Sequence, residues 1–254
     1  MSIQIITKSE QAKGQFNGGE IVENKPIGFP REGGKLRPYS NLFYWAYAEA
    51  TTDSTIGLHP HEGFEIVSFV LKGNIRHFDT KLNAWKPLKA GDVQIIRAGN
   101  GISHAEFLAK NAAIFQIWFD PDLTKTLNHP ASYDDYTAAD LPVSQEDGIS
   151  VRTFVGEGSP FSMETKGIEV QQFEFEKTNY RKPVEPGKIY SMYVEEGNFS
   201  VNGNPVKKDD FILLKDASEL AVESDTPGKL FVIASPASVS YRTYGQMMQE
   251  RMRA

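Results

Sequence analysis

The feature that most constrains this chain is a strand-turn-strand unit that occurs twice. Residues 63–73 (Gly-Phe-Glu-Ile-Val-Ser-Phe-Val-Leu-Lys-Gly) line up with residues 187–197 (Gly-Lys-Ile-Tyr-Ser-Met-Tyr-Val-Glu-Glu-Gly), and both glycine pairs are offset by 124. Each copy is a run rich in β-branched and aromatic residues that ends at a turn-forming glycine. Farther on, residues 87–96 resemble residues 205–214 at an offset of 118, the smaller value that a shorter intervening hairpin produces. Two such units in the same order predict two domains of one kind.

The surrounding pattern is all-β. Residues 64–71, 75–78, 92–96 and 113–119 read as short strands, and the second half repeats the style at 168–175, 189–194, 199–201, 211–214, 220–222 and 230–233. Short strands at regular spacing predict a barrel or jelly roll. Residues 120–148 contain Pro121, Pro130 and Pro142 and the acidic pairs Asp134-Asp135 and Glu146-Asp147, so the division is expected there, as domains 1–135 and 136–254. Residues 239–253 carry Tyr241, Tyr244, Met247, Met248 and Met252 at near-helical spacing, which predicts a short C-terminal helix with a core-packing stripe.

Composition excludes several classes of chemistry. With 40% hydrophobic residues over 254 positions the chain can bury a real core, and its net charge of −6 comes from interspersed rather than blocked charges. Direct binding of nucleic acid is therefore not expected. There is no cysteine, so thiol nucleophiles, disulfides and thiolate metal sites are ruled out, and any metal must be held by histidine and carboxylate. The first residues lack the basic start and long apolar run of a secretion signal, and no later segment approaches a membrane span, so a cytoplasmic protein is expected.

The chemistry is concentrated in two pairs. His59 and His61 flank Pro60, and residues two apart on an extended segment share a face, roughly 6.5 Å apart along the strand. His104 and Glu106 repeat the step just after the turn at residues 98–101. Three imidazoles and a carboxylate suit a divalent transition metal such as iron(II), and an octahedral ion held this way keeps two positions open. Of the remaining histidines, His129 precedes Pro130 in the linker and reads as structural. His77 lies one strand along from the His59–His61 pair and reads as packing that could line a cavity.

These residues resemble the pirin family. Residues 58–67 (Leu-His-Pro-His-Glu-Gly-Phe-Glu-Ile-Val) look like the first pirin motif and residues 91–106 (Gly-Asp-Val-Gln-Ile-Ile-Arg-Ala-Gly-Asn-Gly-Ile-Ser-His-Ala-Glu) like the second, with residues 115–119 similar to the strand that follows it. The resemblance implies two cupin barrels in tandem and one metal, usually iron, on His59, His61, His104 and Glu106. It also implies that Glu65, shared with the general cupin pattern, is a supporting carboxylate and not a ligand. Two departures stand out: Glu62 occupies a position where pirins commonly carry arginine, and residues 39–47 lack the usual Asp-Pro-Phe. The repeat offsets carry His59 and His61 to Pro183 and Glu185, and His104 and Glu106 to Val222 and Ser224, so the C-terminal barrel is expected to be metal-free.

Two functions follow from the resemblance. One is a metal-dependent dioxygenase that opens a flavonol such as quercetin, a small aromatic substrate, with Glu106 as the catalytic base. The other is a non-enzymatic iron-binding regulator that engages a transcription factor or a metabolic enzyme.

Overall fold

The computed structural model describes residues 2–29 and 31–253. They form two compact units, each of strands and few helices. The N-terminal unit contains a seven-stranded sheet in the order Ser132–Tyr136, Val93–Arg97, Glu65–Lys72, Ala113–Phe119, Leu42–Ala50, Ile21–Ile27, Ala12–Phe16. Its four-stranded sheet runs Ser54–His61, Ile102–Leu108, Asn74–Asp79, Trp85–Lys89. The C-terminal unit repeats this plan. Its seven strands run Ser2–Ile6, Phe211–Lys215, Lys188–Glu196, Gly228–Pro236, Glu169–Phe175, Ile149–Val155, Val143–Glu146, and its four run Thr178–Pro183, Glu219–Ser224, Asn198–Val201, Asn204–Lys207. Neighbours in these sheets pair antiparallel.

The repeated glycines explain why the repeat is visible. Gly73 and Gly197 both turn with positive φ, and a side chain at either would strike backbone, at Ala112 in one unit and Pro227 in the other. Glycine alone fits such a turn without strain.

The two interiors differ. In the N-terminal unit the inward-facing series read apolar, polar, apolar along several strands: Ile66, Ser68, Val70; Ile114, Gln116, Trp118; Ile102, His104, Glu106, Leu108. Ile66, Ile96, Ala98 and Ile102 make one apolar cluster, and Ile56, Val70, Leu108 and Ile114 belong to another. In the C-terminal unit most equivalent positions are apolar, with Ser224 at the place of Glu106, and Phe173, Tyr190, Met192, Ile212, Val222 and Val232 join one cluster. That unit contains no histidine.

The units do not follow a single cut at residue 135. Met1–Glu10 groups with the C-terminal unit, because Ser2–Ile6 pairs with Phe211–Lys215 and buries Ile6 completely. Met163–Lys166 and Val239–Ala254 group with the N-terminal unit. The buried Glu65 carboxylate holds the first of these, accepting from the backbone N–H groups of Glu164 and Thr165 and from the Thr165 hydroxyl. The C-terminal helix, Tyr244–Arg253, packs Tyr244 and Met248 against Phe43, Tyr44 and Ala46, so that part of its stripe is core as expected, but of the N-terminal unit, while Met252 is exposed. No helix among the described residues is long and apolar enough to cross a membrane.

Candidate metal centre

The two histidine-bearing strands are hydrogen-bonded neighbours, and their register sets His104 directly opposite His59, with His61 opposite Ile102. One ring nitrogen from each of His59, His61 and His104 lies within 4.8 Å of the other two. The Nε2 atoms of His61 and His104 are 3.0 Å apart. His59 Nδ1 sits 2.7 Å from the Gly57 carbonyl, which accepts its proton and leaves Nε2 with a free lone pair. An extra residue on the Ser54–His61 strand shifts the register between His104 and Glu106, so that Glu106 faces Ile56.

Electrostatics prepare the imidazoles for a cation. Burial lowers His61 to about 3, with further repulsion from His104 and His59. Burial likewise lowers His104 to about 2, with His59 and His77 adding to the effect. Both rings are neutral at ordinary pH and present lone pairs, the form that binds a metal. The neutral rings of His61 and His104, converging with His59 in a half-buried pocket, fit a divalent metal ion.

Glu106 is held differently from the histidines. It is completely buried, and its Oε1 accepts from Ser68 Oγ at 2.8 Å and Gln94 Nε2 at 3.0 Å, while Oε2 accepts from Gln116 Nε2. The structure thus gathers three of the four expected ligands and sets Glu106 beside them on a polar support. A carboxylate offers about four lone-pair sites, so roughly one remains, on Oε2. Ser68, Gln94 and Gln116 are in direct cross-strand register, a polar rung across three adjacent strands of an apolar sheet. The same rung in the C-terminal unit is Met192, Ile212 and Val232.

The other histidines take non-ligand places. His77 is completely buried, with Nε2 2.8 Å from Asp79 Oδ2 and its ring stacked 4.4 Å from Tyr133. His129 meets Glu164 Oε1 at 2.9 Å. Sequence reasoning missed the rung, although lone polar residues in Ile-Val-Ser-Phe-Val, Val-Gln-Ile-Ile and Ile-Phe-Gln-Ile-Trp were a usable signal. It also missed a cavity of about 520 Å³, lined by His59, His61, Gln116 and Trp118 and by Glu23, Lys25, Phe29, Glu32 and Tyr44. Trp118 packs edge-on against His61, with ring centroids 4.8 Å apart.

Residues 35–119, which contain all four candidate ligands, match the pirin family model. The chain is 36% identical over 100 residues to Pirin-1 of Arabidopsis thaliana, a match that spans 39% of this chain and 34% of that one. The family match thus covers about a third of this chain, the third that carries the candidate ligands. Two solved structures agree with the tandem architecture. The bacterial pirin YhhW of Escherichia coli, in complex with nickel(II), superposes with a TM-score of 0.78 over 94% of this chain and 100% of its own, at 19% identity. Quercetin 2,3-dioxygenase from Acinetobacter baumannii does so with a TM-score of 0.80 over 99% of this chain and 87% of its own, at 21% identity.

Proposed function

We propose that this chain is a pirin-type, metal-dependent dioxygenase of the quercetin 2,3-dioxygenase type, with iron(II) on His59, His61 and His104 and with Glu106 as fourth donor and catalytic base. The observation that carries the reading is the cavity itself: about 520 Å³, within the range of small-ligand sites, with two candidate ligands in the same lining as Phe29, Tyr44 and Trp118. When bound, the metal would supply Lewis acidity to the oxygens of the substrate and to dioxygen. The protein's own part is positional. Aromatic faces orient a planar substrate, the apolar clusters keep water away, and Glu106, whose one free lone pair on Oε2 cannot serve metal and proton together, would leave the metal to take the proton of a substrate hydroxyl. Nickel(II) in the Escherichia coli relative supports the view that other divalent metals fit such a site.

The test is to load the purified protein with iron(II) under nitrogen, admit dioxygen and follow quercetin absorbance. Loss of absorbance with one metal per chain is expected. His104→Ala should lower metal affinity by more than ~10²-fold, because even residues that only support ligands are worth 10 to 100-fold. Glu106→Gln should keep most of the metal yet slow turnover by a factor on the order of 10². An iron-loaded, unmutated protein without turnover would move the function to metal-dependent regulation of a protein partner.

A further inference from the structure

One wall of the cavity is charged, and it is built from residues with no part in holding a metal. Lys25 is only 4% exposed, yet its Nζ lies 3.1 Å from Glu23 Oε2 and 2.6 Å from Glu32 Oε1, and it sits over the Tyr44 ring at 5.6 Å. The Tyr44 hydroxyl donates to Glu23 Oε1 at 3.1 Å, and the Phe29 backbone N–H donates to Glu32 Oε2 at 2.8 Å. All of these residues line the cavity that contains His59 and His61. Burying such a group is expensive: desolvation raises the Glu23 carboxyl, against the opposing pull of Lys25 and Tyr44.

The fold makes room for it. Gly14 lies directly opposite Glu23 on the neighbouring strand, and a Cβ there would collide with Glu23 Oε2 and with the Lys25 ammonium group. Gly14 does not have a positive φ, so its backbone tolerates any residue and the missing side chain serves space alone.

The spare hydrogen-bonding capacity of the wall is mostly acceptor. Two of the three Lys25 donors are committed to carboxylates and its charge also faces a ring. Each carboxylate has accepted two bonds of about four it can take. Gln116, also in the lining, spends one of its two amide N–H groups on Glu106 and its carbonyl oxygen on accepting from Trp118 Nε1. What remains is about four carboxylate lone pairs against one Lys25 N–H and one Gln116 N–H, around a formal charge of one cation and two anions.

We propose that this wall sets the substrate class. It accepts hydrogen bonds from hydroxyl groups at the end of an aromatic ligand remote from its metal-binding oxygens, and it rejects a carboxylate there. The wall bears on turnover only under the aromatic-substrate reading above, but its ligand preference can be measured without metal or turnover. The cavity is polarised, with a cation site at the histidine end and acceptors at the other, and a ligand must match both ends.

The test uses metal-free protein and equilibrium binding, read by quenching of tryptophan fluorescence and by ligand-observed NMR. The probes are quercetin, its analogue with hydrogen in place of the pendant-ring hydroxyls, and the analogue with a carboxylate there. Catechol and benzoate form a second pair that needs no flavonol. The wild type should favour the hydroxylated member of each set by about tenfold, the worth of a hydrogen bond to a charged group. Glu23→Gln with Glu32→Gln leaves Lys25 uncompensated, and the preference should invert toward the carboxylate. Glu32→Gln alone, at a half-exposed position that threatens folding least, should already narrow the gap. If flavonols fail to bind while catechol is still preferred and the preference inverts in the double variant, the flavonol reading falls and the wall stands. If quercetin binds but hydroxyls, carboxylate and variants make no difference, the wall assignment is overturned and the flavonol reading survives.

Discussion

Glu106 draws its three donors from three neighbouring strands, and each donor has no other charged partner to turn to. Removing Gln116 therefore strands a buried carboxylate oxygen, and a charged group that loses a buried hydrogen bond costs about 1 to 3 kcal/mol. Gln116→Leu should destabilise the metal-free protein by that much in urea, and by far less when Glu106 is already alanine. The double-mutant cycle should give a coupling of at least about 1 kcal/mol; additivity to within about 0.5 kcal/mol would mean that the rung does not hold the carboxylate. The histidines were legible because the i,i+2 pairs are chemically conspicuous and the register then did what extended geometry requires. The rung was not, since one serine or glutamine in a strand is commonplace. Only the repeat exposes it, where Ser68 meets Met192 and Gln94 meets Ile212.

At the scale of the element, the C-terminal helix shows how a correct stripe can be assigned to the wrong body. Its start is fixed by a reciprocal cap: Gln246 N–H donates to Thr243 Oγ1, and Thr243 N–H donates to Gln246 Oε1. Asp120 anchors it, with Oδ2 accepting from Gly245 N–H at 2.9 Å, while Oδ1 is buried without a hydrogen-bond partner among the described residues. Burial pushes this carboxyl up to about 6 from an ordinary 3.8. The folded form thus holds a proton that the unfolded chain has released. Its stabilisation is fully present below about pH 4 and is lost as pH rises through about 6. Asp120→Asn keeps the size and the acceptor but cannot titrate. The variant should flatten the pH dependence of stability between about pH 4 and 6 and be no less stable than wild type at about pH 8. Urea midpoints read by tryptophan emission report on this unit alone, since Trp45, Trp85 and Trp118 all belong to it. A variant with the wild-type pH profile would show that Asp120 is not the titrating group. Neither the cap nor the anchor was legible, because hydrophobic spacing marks a helix face and not the body it docks on.

For the whole molecule, the repeat announced two barrels, but it could not say which chain end completes which. In the N-terminal unit the strand beside Val93–Arg97 is Ser132–Tyr136, drawn from the segment read as a linker, whereas in the C-terminal unit the same place beside Phe211–Lys215 is taken by Ser2–Ile6. A pairing over two hundred residues apart leaves no local trace in the sequence. The strand brings Ile6 into full burial and lays Ile3 and Ile5 against the C-terminal core, and Lys8 follows with a 2.7 Å ion pair to Asp209. Deleting residues 1–10 should remove roughly 3 kcal/mol of apolar burial from that unit and expose Phe-Ile-Leu-Leu-Lys as an open edge, a template for aggregation. Hydrogen exchange at the Phe211 and Leu213 amides, which face the deleted strand, should speed up by about 10²-fold, matching that loss, and a peptide of residues 1–10 added in excess should reverse part of it. Tryptophan emission and nickel(II) titration, which read the other unit, should stay as in the full chain. Should the truncated protein keep wild-type exchange at Phe211 and Leu213, the N-terminal strand is dispensable, and the C-terminal barrel folds on residues 139–238 without it.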